Sequence, residues 1–174
     1  NSDGSAASLT AIPAANITGT LPAISGANLT GISGGKVLQV VEGSATGTTT
    51  VSTTSDTYLT TLVTITPSAT TSKVWVFLDI GFDTEDADGY GFTAKLSIDS
   101  GSSFVWTAGS NGYAHAADAG GQTSGYGTQS YTVIHSPSST SALSYKVYVQ
   151  NRNTTTIRYN GHSTTRIYAM EIGA

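Results

Sequence analysis

Apolar residues change their rhythm once along this chain, near Gly34 and Gly35, and the change predicts two parts. From residue 36 onward, runs rich in Val, Ile, Thr, Tyr and Trp follow one another, bounded by Gly, Asp, Asn, Ser or Pro. That is the pattern of β-strands separated by turns. Nine runs stand out: KVLQVVE (36–42), TYLTTLVTITP (57–67), KVWVFLDIGF (73–82), YGFTAKLSID (90–99), SFVWTA (103–108), QSYTVIHS (129–136), LSYKVYVQNR (143–152), TTIRYN (155–160) and TRIYAMEI (165–172). In LSYKVYVQ, Leu143, Tyr145, Val147 and Val149 alternate with Ser144, Lys146, Tyr148 and Gln150, so one face is expected to be buried and the other wet. KVWVFLDI is more continuously apolar and reads as a central strand. With no helical pattern, residues 36–174 are expected to form an all-β head, an antiparallel β-sandwich of the jelly-roll type.

The first 35 residues obey a different rule. Leu9, Ile12, Ile17, Leu21, Ile24, Leu29 and Ile32 are spaced by steps of 3, 5, 4, 3, 5 and 3, which fits neither a strand nor a heptad. Pro13 and Pro22 exclude a continuous helix and favour extended backbone before them. The phrase N-I-T-G at 16–19 returns as N-L-T-G at 28–31, a repeat of 12 residues whose Asn and Gly suit bends between short extended pieces. Such a segment has no second layer to cover its own apolar side chains. Several identical chains wrapped around a common axis would cover them, so residues 1–35 are expected to form an extended, trimerising stem with Ile12, Ile17, Leu21, Ile24, Leu29 and Ile32 pointing inward. A flexible Ala/Ser/Thr/Gly linker is the competing reading, and it does not account for the repeated Ile/Leu pattern.

Composition narrows the function. Charged residues make up 10% of the 174, against roughly 25% in an ordinary soluble domain, and Ser, Thr, Gly, Asn and Tyr take their place. Leu, Ile, Val and Phe together number 35, a thin supply for a core, while a net charge of -4 is too small to hold the chain disordered. There is no cysteine, so stability must come from packing, within the chain or between chains, and thiolate metal sites are excluded. The seven basic residues are scattered, which argues against nucleic-acid binding. No apolar run reaches the roughly 18 residues of a membrane span. The chain opens at Asn1 and not Met, as a fragment or a processed product would.

Candidate chemistry is sparse. The stretch DTEDADG at 83–89 gathers Asp83, Glu85, Asp86 and Asp88. Its composition suits calcium, but the spacing fails the EF-hand pattern, and a solvated hairpin loop that discourages edge pairing is the favoured reading. No G-x-S-x-G motif supports a hydrolase triad. Paired carboxylates for glycoside cleavage are formally available among Asp79, Asp83 and Asp99. His115, His135 and His162 form no metal-ligand pair and are expected to be hydrogen-bonded or exposed rings. No cofactor or metal is therefore expected, and no enzymatic activity. Asn16, Asn28 and Asn153 stand in N-x-T sequons, which matter only in a secreted eukaryotic protein.

The long connection GSNGYAHAADAGGQTSGYGT, 109–128, is the exception to the short turns, and unstructured loops of that length are commonly functional. Aromatic faces stack on sugar rings, and a Tyr/Gly/Ser/Asn-rich loop suits adaptable recognition. Trp106, Tyr113, His115 and Tyr126 are accordingly the expected receptor-binding residues. The competing reading places Trp106 in the core and the tyrosines between subunits.

Taken in order, LPAISGANLTGI, GGKVLQVVEG, TPSATTSKVWV, IHSPSSTSALSYKVYVQ and the closing RIYAMEIGA resemble the C-terminal parts of bacteriophage tail-fibre and related virion fibre proteins, from about Ile12 to the end. The resemblance implies a homotrimer with a threaded stem and a β-sandwich head, carried on the virion after assembly in the host cytoplasm, which contacts other virion proteins and a host surface glycan or protein. The alternative it leaves open is a head-fibre, decoration or assembly protein without receptor binding. A saccharide-degrading fibre tip is a third reading.

Overall fold

The computed structural model describes residues 37–45, 47–84, 91–108 and 125–173. The chain divides into two units, 1–33 and 34–174, and every described element belongs to the second. The stem positions Ile12, Ile17, Leu21, Ile24, Leu29 and Ile32 lie outside the described residues, as do Tyr113 and His115.

The described residues are all-β, with ten strands and no helix: β1 (Val37–Ser44), β2 (Thr49–Val51), β3 (Thr57–Ile65), β4 (Lys73–Thr84), β5 (Phe92–Ser97), β6 (Trp106–Thr107), β7 (Gly125–His135), β8 (Leu143–Asn151), β9 (Ile157–Tyr159) and β10 (Arg166–Ile172). Each of the nine runs read from the sequence overlaps one of them. The tenth, β2, has three residues among Thr, Ser and Gly and carries no apolar rhythm. β7 starts at Gly125, four residues before the apolar pattern does, because its backbone pairs with β4 from Thr84↔Gly125 onward without needing apolar side chains.

Two antiparallel sheets make the arrangement of a β-sandwich. In the first, β4 is the centre, as its sequence predicts. One edge pairs with β7 along its whole length, and the other pairs with β10 over Lys73–Asp79 and then with β9 over Phe82–Thr84. β1 pairs with β10, and β2 with β9. In effect β9 and β10 are one long strand interrupted by the excursion 160–165, with β1 and β2 running beside them. The second sheet has the order β3-β8-β5-β6.

The core follows the two-residue period. Val74, Val76, Leu78, Ile80 and Phe82 of β4 face Phe92, Ala94 and Leu96 of β5 and Tyr145, Val147 and Val149 of β8, with Leu59, Val63, Ile65, Ile157, Tyr159, Ile167 and Ala169 completing the buried set. Phe82, Phe92 and Tyr159 meet edge to face at 5.3 Å, a geometry that adds about 0.5–1.5 kcal/mol per pair to the burial itself. The apolar continuity of KVWVFLDI does not mean burial on both sides: Trp75 and Phe77 lie on the outer face, and Trp75 is exposed.

Two buried polar groups tie loops to this core. Glu171 falls on the inward parity of β10 and accepts hydrogen bonds from Ser68 N–H (2.7 Å), Ser68 Oγ (2.6 Å), Ser72 Oγ (2.7 Å) and Gln39 Nε2 (2.7 Å). Asn151, at the end of β8, donates to the carbonyls of Val51 and Thr155 and accepts from the Tyr159 hydroxyl at 2.8 Å. Burial pushes that hydroxyl far above its usual range, so it stays a proton donor. Tyr159→Phe keeps the ring but leaves the Asn151 carbonyl oxygen unpaired, and should cost about 1–3 kcal/mol in urea denaturation. An unchanged midpoint would show that the Asn151 bond carries no weight.

Candidate functional site

Three side chains form a row across the outer face of the first sheet at one end. The register sets Tyr126 of β7 and Arg158 of β9 opposite Asp83 of β4, on its two edges. Thr84, the last residue of β4, pairs with Gly125, the first of β7, immediately beside this row. Alternation explains why the three point outward: their neighbours Phe82, Ile157 and Tyr159 are buried in the core.

A fourth residue joins from the excursion 160–165. Asn160 turns the chain in the left-handed region, φ 64, where Asn is better tolerated than most residues. Its N–H donates to the Gly81 carbonyl (3.0 Å) and its Oδ1 accepts from Thr165 N–H (3.0 Å), while Gly81 N–H donates to Thr165 Oγ1 (3.2 Å). The excursion is thereby fastened over Gly81 and holds His162 beside Asp83.

Asp83 is buried and accepts from Arg158 Nε at Oδ1 and from His162 Nδ1 at Oδ2, both at 2.7 Å. Burial is the largest single influence and pushes its carboxyl up. The hydrogen bonds and charges of Arg158 and His162 together outweigh it, so the net shift is downward. Asp83 is therefore ionised at neutral pH and can only accept. His162 must then donate through Nδ1, which leaves Nε2 as the ring's remaining hydrogen-bonding atom. The Tyr126 ring is 73% exposed and stacks on the His162 ring, with centroids 5.5 Å apart and planes 18° from parallel. The result is a two-ring aromatic platform braced by a buried, charge-paired carboxylate.

Of the expected receptor-binding residues, Tyr126 stands in this platform. Trp106 is half-buried between the sheets, packed on the core, with its ring 5.1 Å from that of Tyr131. The fold thus puts Trp106 and Tyr126 on opposite faces of the first sheet. The acidic stretch needs a correction: Asp83, expected in a solvated hairpin loop, is buried within β4, because two donors on neighbouring segments neutralise its desolvation. His135 is hydrogen-bonded at 2.7 Å to the Tyr145 hydroxyl. The carboxylates formally available for glycoside cleavage lie apart. Asp79 and Asp83 are four residues apart on one face of β4, about 13 Å along a strand and beyond the roughly 5–9.5 Å that glycoside cleavage uses; Asp99 lies in the turn after β5, bound to Ser97 and Ser103. Among the described residues no cluster of three or more His, Cys, Asp or Glu could hold a metal, and no helix is long and apolar enough to cross a membrane.

Arg158, His162 and Asp83 were not among the residues the sequence singled out for binding. A usable signal exists for Arg158, an outward charge between two strand residues of inward parity. None exists for His162, whose role depends on the excursion. Compared with known proteins, the chain matches no family model and no curated protein.

Proposed function

We propose that this chain is a virion fibre protein of the phage tail-fibre kind, which attaches to a host surface glycan through the platform of Tyr126 and His162. The observation that carries the reading is the exposed Tyr126 ring stacked on a His162 ring that Asp83 holds in place. Such a surface suits the apolar face of a sugar ring, while His162 Nε2 and the Arg158 guanidinium offer polar contacts for hydroxyls. Tyr113 and His115 belong to the Gly- and Ala-rich segment 109–124 that precedes β7 in the chain. Strand order supports a jelly roll: β1-β10-β4-β7 forms one layer and β3-β8-β5-β6 the other, with the chain crossing repeatedly between them.

In this reading residues 1–35 are the trimerising stem, and three copies of one weak site raise avidity through effective concentration. The test is binding of the full chain to an array of bacterial surface polysaccharides. Tyr126→Ala combined with His162→Ala should weaken binding by about tenfold or more while the melting temperature stays within a few degrees. Undiminished binding by that variant would place the receptor site elsewhere. Absence of binding to any saccharide or host cell by the unaltered chain would favour the decoration role.

A further inference from the structure

The outer face of the first sheet carries a second feature, at the end away from Tyr126. Register aligns its outward positions in rows across β1, β10, β4 and β7: Val40, Met170, Trp75 and Ile134 in one row, and Glu42, Tyr168, Phe77 and Thr132 in the next. Val40, Trp75 and Ile134 are 58%, 41% and 68% exposed. Exposed Val37 and Leu38 extend the apolar surface at the β1 margin, and the rings of Phe77 and Tyr168 meet at 6.2 Å inside it. Single exposed apolar residues are ordinary, whereas a contiguous apolar patch marks a contact surface.

We propose that this face is the head-to-head contact between copies of this chain. Three observations select that occupant. The residues that precede Val37 in the chain hold a series of Ile and Leu, Ile12, Ile17, Leu21, Ile24, Leu29 and Ile32, read above as self-associating, and β1, which carries Val37, Leu38 and Val40, follows that series directly along the chain. The face carries both signs of charge, with exposed Lys73 at one end of β4 and exposed Glu42 in the second row, so a rotated copy can set Lys73 against Glu42. A glycan is a poor occupant, because the first row offers only the indole N–H as a hydrogen-bonding side-chain group, and sugar hydroxyls desolvated there would stay unpaired. The inference rests on the self-assembly part of the proposed function and is independent of its receptor site.

The absence of cysteine makes a direct test possible in the full chain. An Ile134→Cys variant carries a unique thiol on the patch, and a Thr140→Cys variant carries one at an exposed position in the turn between β7 and β8. Maleimide labelling of the assembled protein should be at least about tenfold slower for the first than for the second. Val40→Asp with Ile134→Asp, both at exposed positions, should raise the concentration needed for assembly in sedimentation by about tenfold or more, with circular dichroism unchanged.

An oligomer whose patch thiol labels as fast as the control would overturn this surface while leaving a stem-driven trimer intact. A monomer with a reactive patch thiol removes both ideas. A monomer with a protected patch thiol would mean that the chain's own N-terminal segment covers the face, which also overturns the proposal.

Discussion

Replacing Glu171 with alanine is expected to lower the stability of the sandwich by about 3–5 kcal/mol, since a hydrogen bond to a charged group contributes about 1.5–3 kcal/mol and each buried donor left unpaired costs about 1–3 more, with the sum reduced because the donors share one site. The four donors arrive from three places: the backbone and hydroxyl of Ser68, the hydroxyl of Ser72, and Gln39 of β1. Loss of the carboxylate therefore loosens both the 66–72 turn and the β1 edge. Urea denaturation followed by tryptophan emission measures it, and a loss below about 1 kcal/mol would mean that water replaces the anchor.

The same residue sets a pH dependence. The Ser68 hydroxyl first, opposed by burial and helped by Gln39 and Ser72, holds the Glu171 carboxyl at about 2, against its ordinary 4.5. A depressed carboxylate stabilises the fold fully above its unfolded value and loses that contribution as pH falls through the folded one. The Glu171 contribution is thus complete above about pH 5 and declines between about 4.5 and 2. Glu171→Gln should flatten that limb of the stability curve without abolishing it, because Asp83 and Asp99 are also held below their usual range. An acid limb identical in the variant and the unaltered chain would remove Glu171 from the account.

Gly81→Ala is expected to damage the platform from beneath. A Cβ at this position would stand 2.0 Å from the Ser163 carbonyl oxygen and 2.5 Å from its carbonyl carbon. Both are backbone atoms with no rotamer to yield, so the excursion 160–165 must lift. Lifting breaks the two hydrogen bonds that join Gly81 to Asn160 and Thr165 and carries His162 away from Asp83 and Tyr126. The cost should be about 2–4 kcal/mol, from overpacking and the lost bonds, together with loss of any binding that depends on Tyr126. Thermal unfolding and the polysaccharide array report the two effects separately. A variant as stable as the unaltered chain, with binding intact, would show that the excursion does not need that close approach.

Much of this architecture is legible in the sequence, because a strand's side-chain period is a local property. The alternation of LSYKVYVQ places Tyr145, Val147 and Val149 inward, and they are buried. The apolar run of β4 marks it as central, and it pairs along both edges. Even Glu171 leaves a trace, as a charge on the inward parity of TRIYAMEI after Ile167 and Ala169. Tyr126 was legible as an aromatic residue in a long Gly- and Ser-rich connection.

What only the tertiary structure decides is which residues those strands bring together. Asp83 finds Arg158 and His162 across 75 and 79 residues of chain, a distance at which nothing in the spacing foretells contact. Register does this, and register is a non-local choice settled by the summed burial of two sheets. Trp106 shows the same limit from the other side: its place before a long loop allows either a binding or a packing role, and only the opposing sheet brings Tyr131 against its ring. The sequence by itself determined nine of the ten described strands and the alternation of their faces, because those depend on neighbours along the chain. The platform, the Glu171 anchor and the exposed apolar rows came only with pairing, because each is assembled from strands that the chain visits far apart.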